Sequence, residues 1–126
     1  MAHEPRYANG NARRKLRERL RAEGRPCWIC KVMGKPGAID YSLRFPHPYS
    51  FVVDELVPVS KYRLGGYPSA QAAALDYDNL AAAHKCCNEW RSNKTVEEVM
   101  AIARGRRKSK RLPGKVKTSR DWRKGR

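Results

Sequence analysis

Long apolar runs are missing from this chain. No stretch approaches the ~18 consecutive apolar residues of a membrane span, and the N-terminus lacks the apolar h-region of a signal peptide. The sequence therefore predicts a cytoplasmic protein with no membrane partner. Acid is scarce as well: 12 Asp and Glu stand against 28 Lys and Arg, a formal net charge of +16. There is no internal repeat, which excludes a solenoid. A length of 126 residues leaves room for one core, and a core that small gains from a metal or disulfide staple. In a reducing compartment four cysteines read as metal ligands before disulfides.

The positive charge is uneven. Residues 1–26 hold 8 basic and 3 acidic residues, 27–103 hold 8 and 8, and 104–126 hold 12 and 1, giving +5, 0 and +11. A neutral middle between basic ends predicts a folded unit with polyanion-binding termini, and nucleic acid is the usual partner for that pattern. The division is a basic helical arm over 1–26, a metal-stabilised domain over 27–104, and a basic, disordered tail over 105–126.

Local signals place the elements. Ala8 to Glu23 has helix formers with Leu16 and Leu20 one turn apart, and Gly24 and Pro26 give the stop. The segment PCWICKVMGKPGAIDYSLRFPHPYS is dense in Pro and Gly and reads as a knuckle and loops. FVVDELVPVS reads as a strand turning near Pro58, and Ser69 caps a short Ala-rich helix. A further helix is expected over Lys85 to Asn93. Thr95 and Glu98 have capping-box spacing for another, running to about Arg104.

Cys27-x-x-Cys30 is a knuckle spacing, and about fifty residues later His84-x-x-Cys87 repeats the gap. Two such pairs make a closed tetrahedral N/S site suited to structural zinc. Cys86 is the alternative to Cys87, but three-residue spacing from His84 favours Cys87. Ordinary buried thiols are the bland alternative. His3 and His47 lack partners at ligand spacing.

The adjacent acids Asp54 and Glu55 interrupt an otherwise apolar run, and neighbours on a strand point to opposite faces. A salt bridge to a nearby Arg or Lys is the structural explanation, and it sits awkwardly inside such a run. The order Cys-x2-Cys, VVDELVP, Asn79-Leu80, the second x2 pair closing on Cys87-Asn88, then Arg91 and Lys94-Thr95 resembles the HNH endonucleases. Within them it resembles the zinc-knuckle branch, in particular the small basic HNH proteins of tailed phages and actinobacteria. The likeness covers roughly Arg25 to Thr95.

That resemblance implies an α+β fold: a small zinc-stabilised ββα-metal (HNH) core with flanking helices and basic termini. It implies a DNA endonuclease that nicks or cuts duplex DNA. Asp54 and Asn88 would hold a catalytic Mg²⁺ or Mn²⁺, and Asn79 would brace the catalytic loop. Glu55 stands where the family's general base is a histidine. A carboxylate can take a proton from water; the alternatives are a third metal ligand or a degenerate site in a zinc-stabilised nucleic-acid-binding module. Hard oxygen ligands suit Mg²⁺ or Mn²⁺ and soft Cys/His ligands suit Zn²⁺, so ligand type sorts the two metals. Arg91, Lys94, Arg106, Arg107, Lys108, Lys110 and Arg111 are the expected phosphate contacts. The phage likeness implies work beside the large subunit of a phage terminase in genome packaging, with restriction and homing as other roles.

Overall fold

The computed structural model describes residues 10–111. Two strands, β1 (Phe51–Glu55) and β2 (Leu80–His84), form an antiparallel pair around which five α-helices and two 3₁₀ turns are arranged. The helices are α1 (Gly10–Glu23), α2 (Trp28–Val32), α3 (Ala70–Leu75), α4 (Lys85–Arg91) and α5 (Val96–Arg111). The fold is α+β. Among the described residues no helix is long and apolar enough to cross a membrane.

The pairing runs from Phe51 opposite His84 to Glu55 opposite Leu80. Because side chains alternate along a strand, Phe51, Val53 and Glu55 share one face and Val52 and Asp54 the other. Both faces are covered. On the first, Phe51, Leu80 and Ala82 meet Leu20 of α1, with Leu16, Tyr41, Val53 and Tyr77 packed around them. On the second, Ala83 meets Cys27, Ile29 and Cys30, with Trp28, Met33, Val52 and Cys87 alongside. Three consecutive alanines in β2 let both layers approach closely; all of β2 is buried.

The helix ends follow the expected chemistry. Ser69 Oγ accepts from the Ala72 amide at 3.0 Å at the start of α3. Before α5, Thr95 Oγ1 accepts from the Glu98 amide at 3.1 Å while the Thr95 amide donates to Glu98 Oε1 at 2.7 Å, the reciprocal pair of a capping box. Gly24, with φ of 62°, ends α1.

One expectation is corrected. The knuckle segment holds the short α2 among its loops, and the basic N-terminal helix sets Leu20 of its apolar stripe into the core, where it is fully buried. The last helix does not stop near Arg104: α5 passes through Gly105 to Arg111. Glycine costs a helix interior only about 1 kcal/mol, and burial of Val99 and Ala103 anchors the turns before it. The expected tail beyond residue 111 lies outside the described residues.

Candidate metal centre and acid pair

Four ligating atoms converge where α2 meets α4. Cys27 precedes α2 and Cys30 lies one turn on; His84 ends β2 and precedes α4, and Cys87 lies one turn into it. The three sulfurs and the imidazole all lie within 4.8 Å of one another. The spacing of such a set tests whether it fits a tetrahedral ion. Bonds of about 2.3 Å to sulfur and about 2.0 Å to nitrogen give edges of about 3.8 Å between sulfurs and about 3.5 Å between sulfur and nitrogen. Cys30 Sγ and Cys87 Sγ are 3.7 Å apart, and His84 Nδ1 is 3.5 Å from Cys30 Sγ and 3.7 Å from Cys87 Sγ. The four residues can hold a metal ion such as zinc.

The surroundings orient the donors. His84 Nε2–H donates to the Ala38 carbonyl at 3.2 Å, which leaves Nδ1 as the ligating atom, the usual arrangement for a metal-bound histidine. The His84 amide donates to Cys27 Sγ at 3.4 Å. Gly37 lies in close approach to the knuckle: a Cβ there would lie 3.1 Å from the Cys27 carbonyl oxygen, tighter than ordinary contact. The edge of Tyr49 packs against the His84 ring, with centroids 5.8 Å apart. Burial and the neighbouring Cys27 push the thiols of Cys30 and Cys87 up from their ordinary values. Sulfurs in such a place need a cation to become thiolates. Cys86 stands apart from the group; its amide donates to the Pro48 carbonyl at 2.8 Å.

The acid pair has a structural answer on each face of the sheet. Asp54, 5% exposed, receives Arg91 Nη1 at 2.8 Å and Trp28 Nε1 at 2.9 Å, both on Oδ2. Arg91 is itself completely buried. Its other bonds reach the carbonyls of Glu55, Leu56 (2.6 Å) and Lys94 (2.8 Å), and its guanidinium lies 5.1 Å from the Trp28 ring centroid. On the opposite face Glu55 Oε2 accepts from Arg13 Nη2 at 2.5 Å, and Arg13 Nη1 donates to the Ala74 carbonyl at 2.6 Å. Salt bridging thus fits an apolar run after all, because each arginine comes from a helix packed on its own face.

Asn79 is buried and braces the chain just after the acid pair. Its Oδ1 accepts from the Val57 amide at 2.8 Å, and Nδ2 donates to the carbonyls of Val57 and Ala73, each at 3.1 Å. Asn88 is half-buried on α4, one turn before Arg91 and so on the same side of the helix.

The expected phosphate contacts divide. Arg91 is corrected: it is interior, its donors taken by Asp54 and backbone carbonyls. Lys94 is half-buried, with Nζ 3.0 Å from the Trp90 carbonyl and 4.7 Å from its ring centroid. Arg106 is exposed on α5, 5.7 Å from the same ring. The side chains of Arg107, Lys108, Lys110 and Arg111 lie outside the described residues. Sequence reasoning did not find Trp28 or Arg13. Trp28 carried a signal, being an indole N–H inside the knuckle, whereas nothing local marked Arg13. No protein-family model, curated protein or solved structure matches this chain.

Proposed function

We propose that this protein is a metal-dependent HNH endonuclease that hydrolyses phosphodiester bonds of duplex DNA. The observation that carries the reading is Asn79 clamping Val57 through both amide and carbonyl, directly after Asp54-Glu55. That brace ties the chain leaving β1 to the turn that enters β2, and β1, β2 and α4 follow in the order expected of a ββα-metal core; the Cys27, Cys30, His84, Cys87 cluster suits the structural zinc of this branch.

In this reading Asp54 and the Asn88 amide oxygen would hold Mg²⁺ or Mn²⁺, which when bound would supply positive charge to the phosphate and to the departing 3′ oxygen. Glu55, the last residue of β1, would take the proton from the attacking water once Arg13 releases it and the strand end turns its carboxylate toward the side of Asp54. The basic termini hold the duplex by phosphate neutralisation. If the source is a phage, genome packaging beside the terminase large subunit is the role this activity fits.

A second reading, a zinc-stabilised nucleic-acid-binding module without chemistry, is favoured by one observation: both carboxylates are already neutralised by arginines. Relaxation of supercoiled plasmid separates the two. The natural protein with Mg²⁺ or Mn²⁺ should nick it and EDTA should stop it; Asp54→Asn should be inactive, and Glu55→Gln should lose about 10²- to 10⁴-fold in rate. A natural protein inactive with every metal tried would leave the binding module.

A further inference from the structure

Next to the metal cluster lies a cleft that the proposed chemistry does not use. Ile29, Met33, Cys86 and Trp90 line it together with the cluster's own Cys30 and Cys87, and Lys35 and Arg106 are its charged side chains. Its volume is about 210 Å³, below the roughly 300–1,000 Å³ of pockets for drug-sized ligands, so it suits one planar ring rather than a whole metabolite. Trp90 is 36% exposed, so part of its ring is open to a ligand. Lys94 and Arg106 lie within cation–π distance of it.

We propose that this cleft binds one unpaired nucleobase of a single-stranded nucleic acid, stacked on Trp90, with the adjoining phosphates held by Lys35, Lys94 and Arg106. An aromatic platform flanked by cations is the arrangement by which single strands are held without sequence preference. Charge selects the occupant. Lys35 and Arg106 are the charged side chains among the lining residues, beside the Cys30 and Cys87 sulfurs, and they favour an anionic partner. The chain's own residues 112–126 carry six basic residues and one acidic and are repelled from it, as is a second equally basic copy. The inference rests only on the nucleic-acid-binding part of the function proposed above; it gives the protein a strand-separated substrate region in addition to a duplex surface.

The test is fluorescence anisotropy of the full-length protein with a labelled short oligothymidylate and with a labelled duplex, without added Mg²⁺ or Mn²⁺ so that neither is cut. Trp90→Ala should weaken single-strand binding roughly 5- to 150-fold, the range for loss of one base–aromatic stack. Duplex affinity and the salt dependence should stay as in the natural protein, and Trp90→Phe should retain most of the affinity. Unchanged single-strand affinity in Trp90→Ala overturns the proposal, as an acidic-protein partner for this cleft would require. Should Trp90→Ala melt early, Lys35→Glu on the exposed rim decides: it must weaken single-strand binding and lower its salt slope, and intact binding overturns the proposal. A protein that fails to relax plasmid can still pass this test, so the two failures are distinct.

Discussion

The two faces of the β1–β2 pair are stabilised by different physics. Toward α1 the contact is hydrocarbon, Leu20 against Phe51, Leu80 and Ala82, edged by the partly accessible Arg13–Glu55 pair. Toward α2 and α4, Ile29, Ala83, Trp28, Met33 and Val52 share the contact with polar groups: three thiols, an imidazole and the enclosed Asp54–Arg91 pair. A face closed by oil degrades gradually when trimmed, whereas a face closed by ligands and charge fails when one partner goes. The comparison also explains how two adjacent acids survive in a buried strand, since each looks into a different environment with its own arginine.

The sharpest break should come from the ligand face. Cys30→Ser, or a strong chelator on the natural protein, should unfold the chain, because structural zinc sites supply on the order of 10 kcal/mol or more of folding free energy. Circular dichroism and thermal melting check this. Cys86→Ser should melt close to the natural protein, and a Cys30→Ser protein with native dichroism and melting would remove the metal from the folding argument.

Next comes the enclosed ion pair. Asp54→Ala strands the Arg91 guanidinium in the interior and should cost about 3–5 kcal/mol, seen as a lower urea midpoint. Loss of cleavage in that variant alone would confuse stability with chemistry, which is why Asp54→Asn, keeping shape and an acceptor for Arg91, is the activity control. Equal stability of Asp54→Ala and the natural protein would mean that the two faces do not differ in the way described.

On the hydrocarbon face, Leu20→Ala should cost about 2–5 kcal/mol through lost burial and a cavity while the metal stays bound, as metal retention after gel filtration would report. Metal loss in step with the melt would join the two faces into one unit. Arg13→Ala should cost only about 1 kcal/mol, since a partly accessible pair is screened.

The smallest effect lies outside both faces. Bonds from the Thr95 amide and hydroxyl hold the exposed Glu98 carboxylate below its usual range. A depressed carboxylate contributes stability above its unfolded value, and that contribution disappears as pH falls through the lower folded one. Melting temperatures should therefore decline slightly in that acidic window. Glu98→Gln should lessen the decline without altering the metal site, and Asp40, also lowered by its bonds from Ser42, should account for part of what remains.

Legibility in the sequence followed the range of the interaction. Cys27-x-x-Cys30 and His84-x-x-Cys87 were readable because a three-residue step puts two donors one helical turn apart, and Cys86 is offset by chemistry that spacing already excludes. Ser69 and the Thr95–Glu98 box were readable for the same local reason. Arg13 was not, because its partner lies 42 positions away and only the docking of α1 brings them together. Arg91 was misjudged for a related reason: at a helical position an arginine looks like a surface cation, and its burial depends on carbonyls from β1 and the α4–α5 link that no local pattern announces. The helix runs on through Gly105 because the packing of Val99 and Ala103, which no local pattern shows, outweighs a modest propensity penalty.

The bonds of Arg91 have a consequence for how freely this position can vary. The side chain uses three nitrogens to reach Asp54, the carbonyls of Glu55 and Leu56, and the carbonyl of Lys94. A lysine carries the same charge, but its single ammonium cannot span that set, whereas the planar guanidinium spans it without further ordering. Charge-conserving exchange is therefore not neutral here. In a library of all substitutions at position 91 selected for folding, arginine should stand nearly alone and lysine should rank with uncharged residues, while at Lys94 either cation should pass.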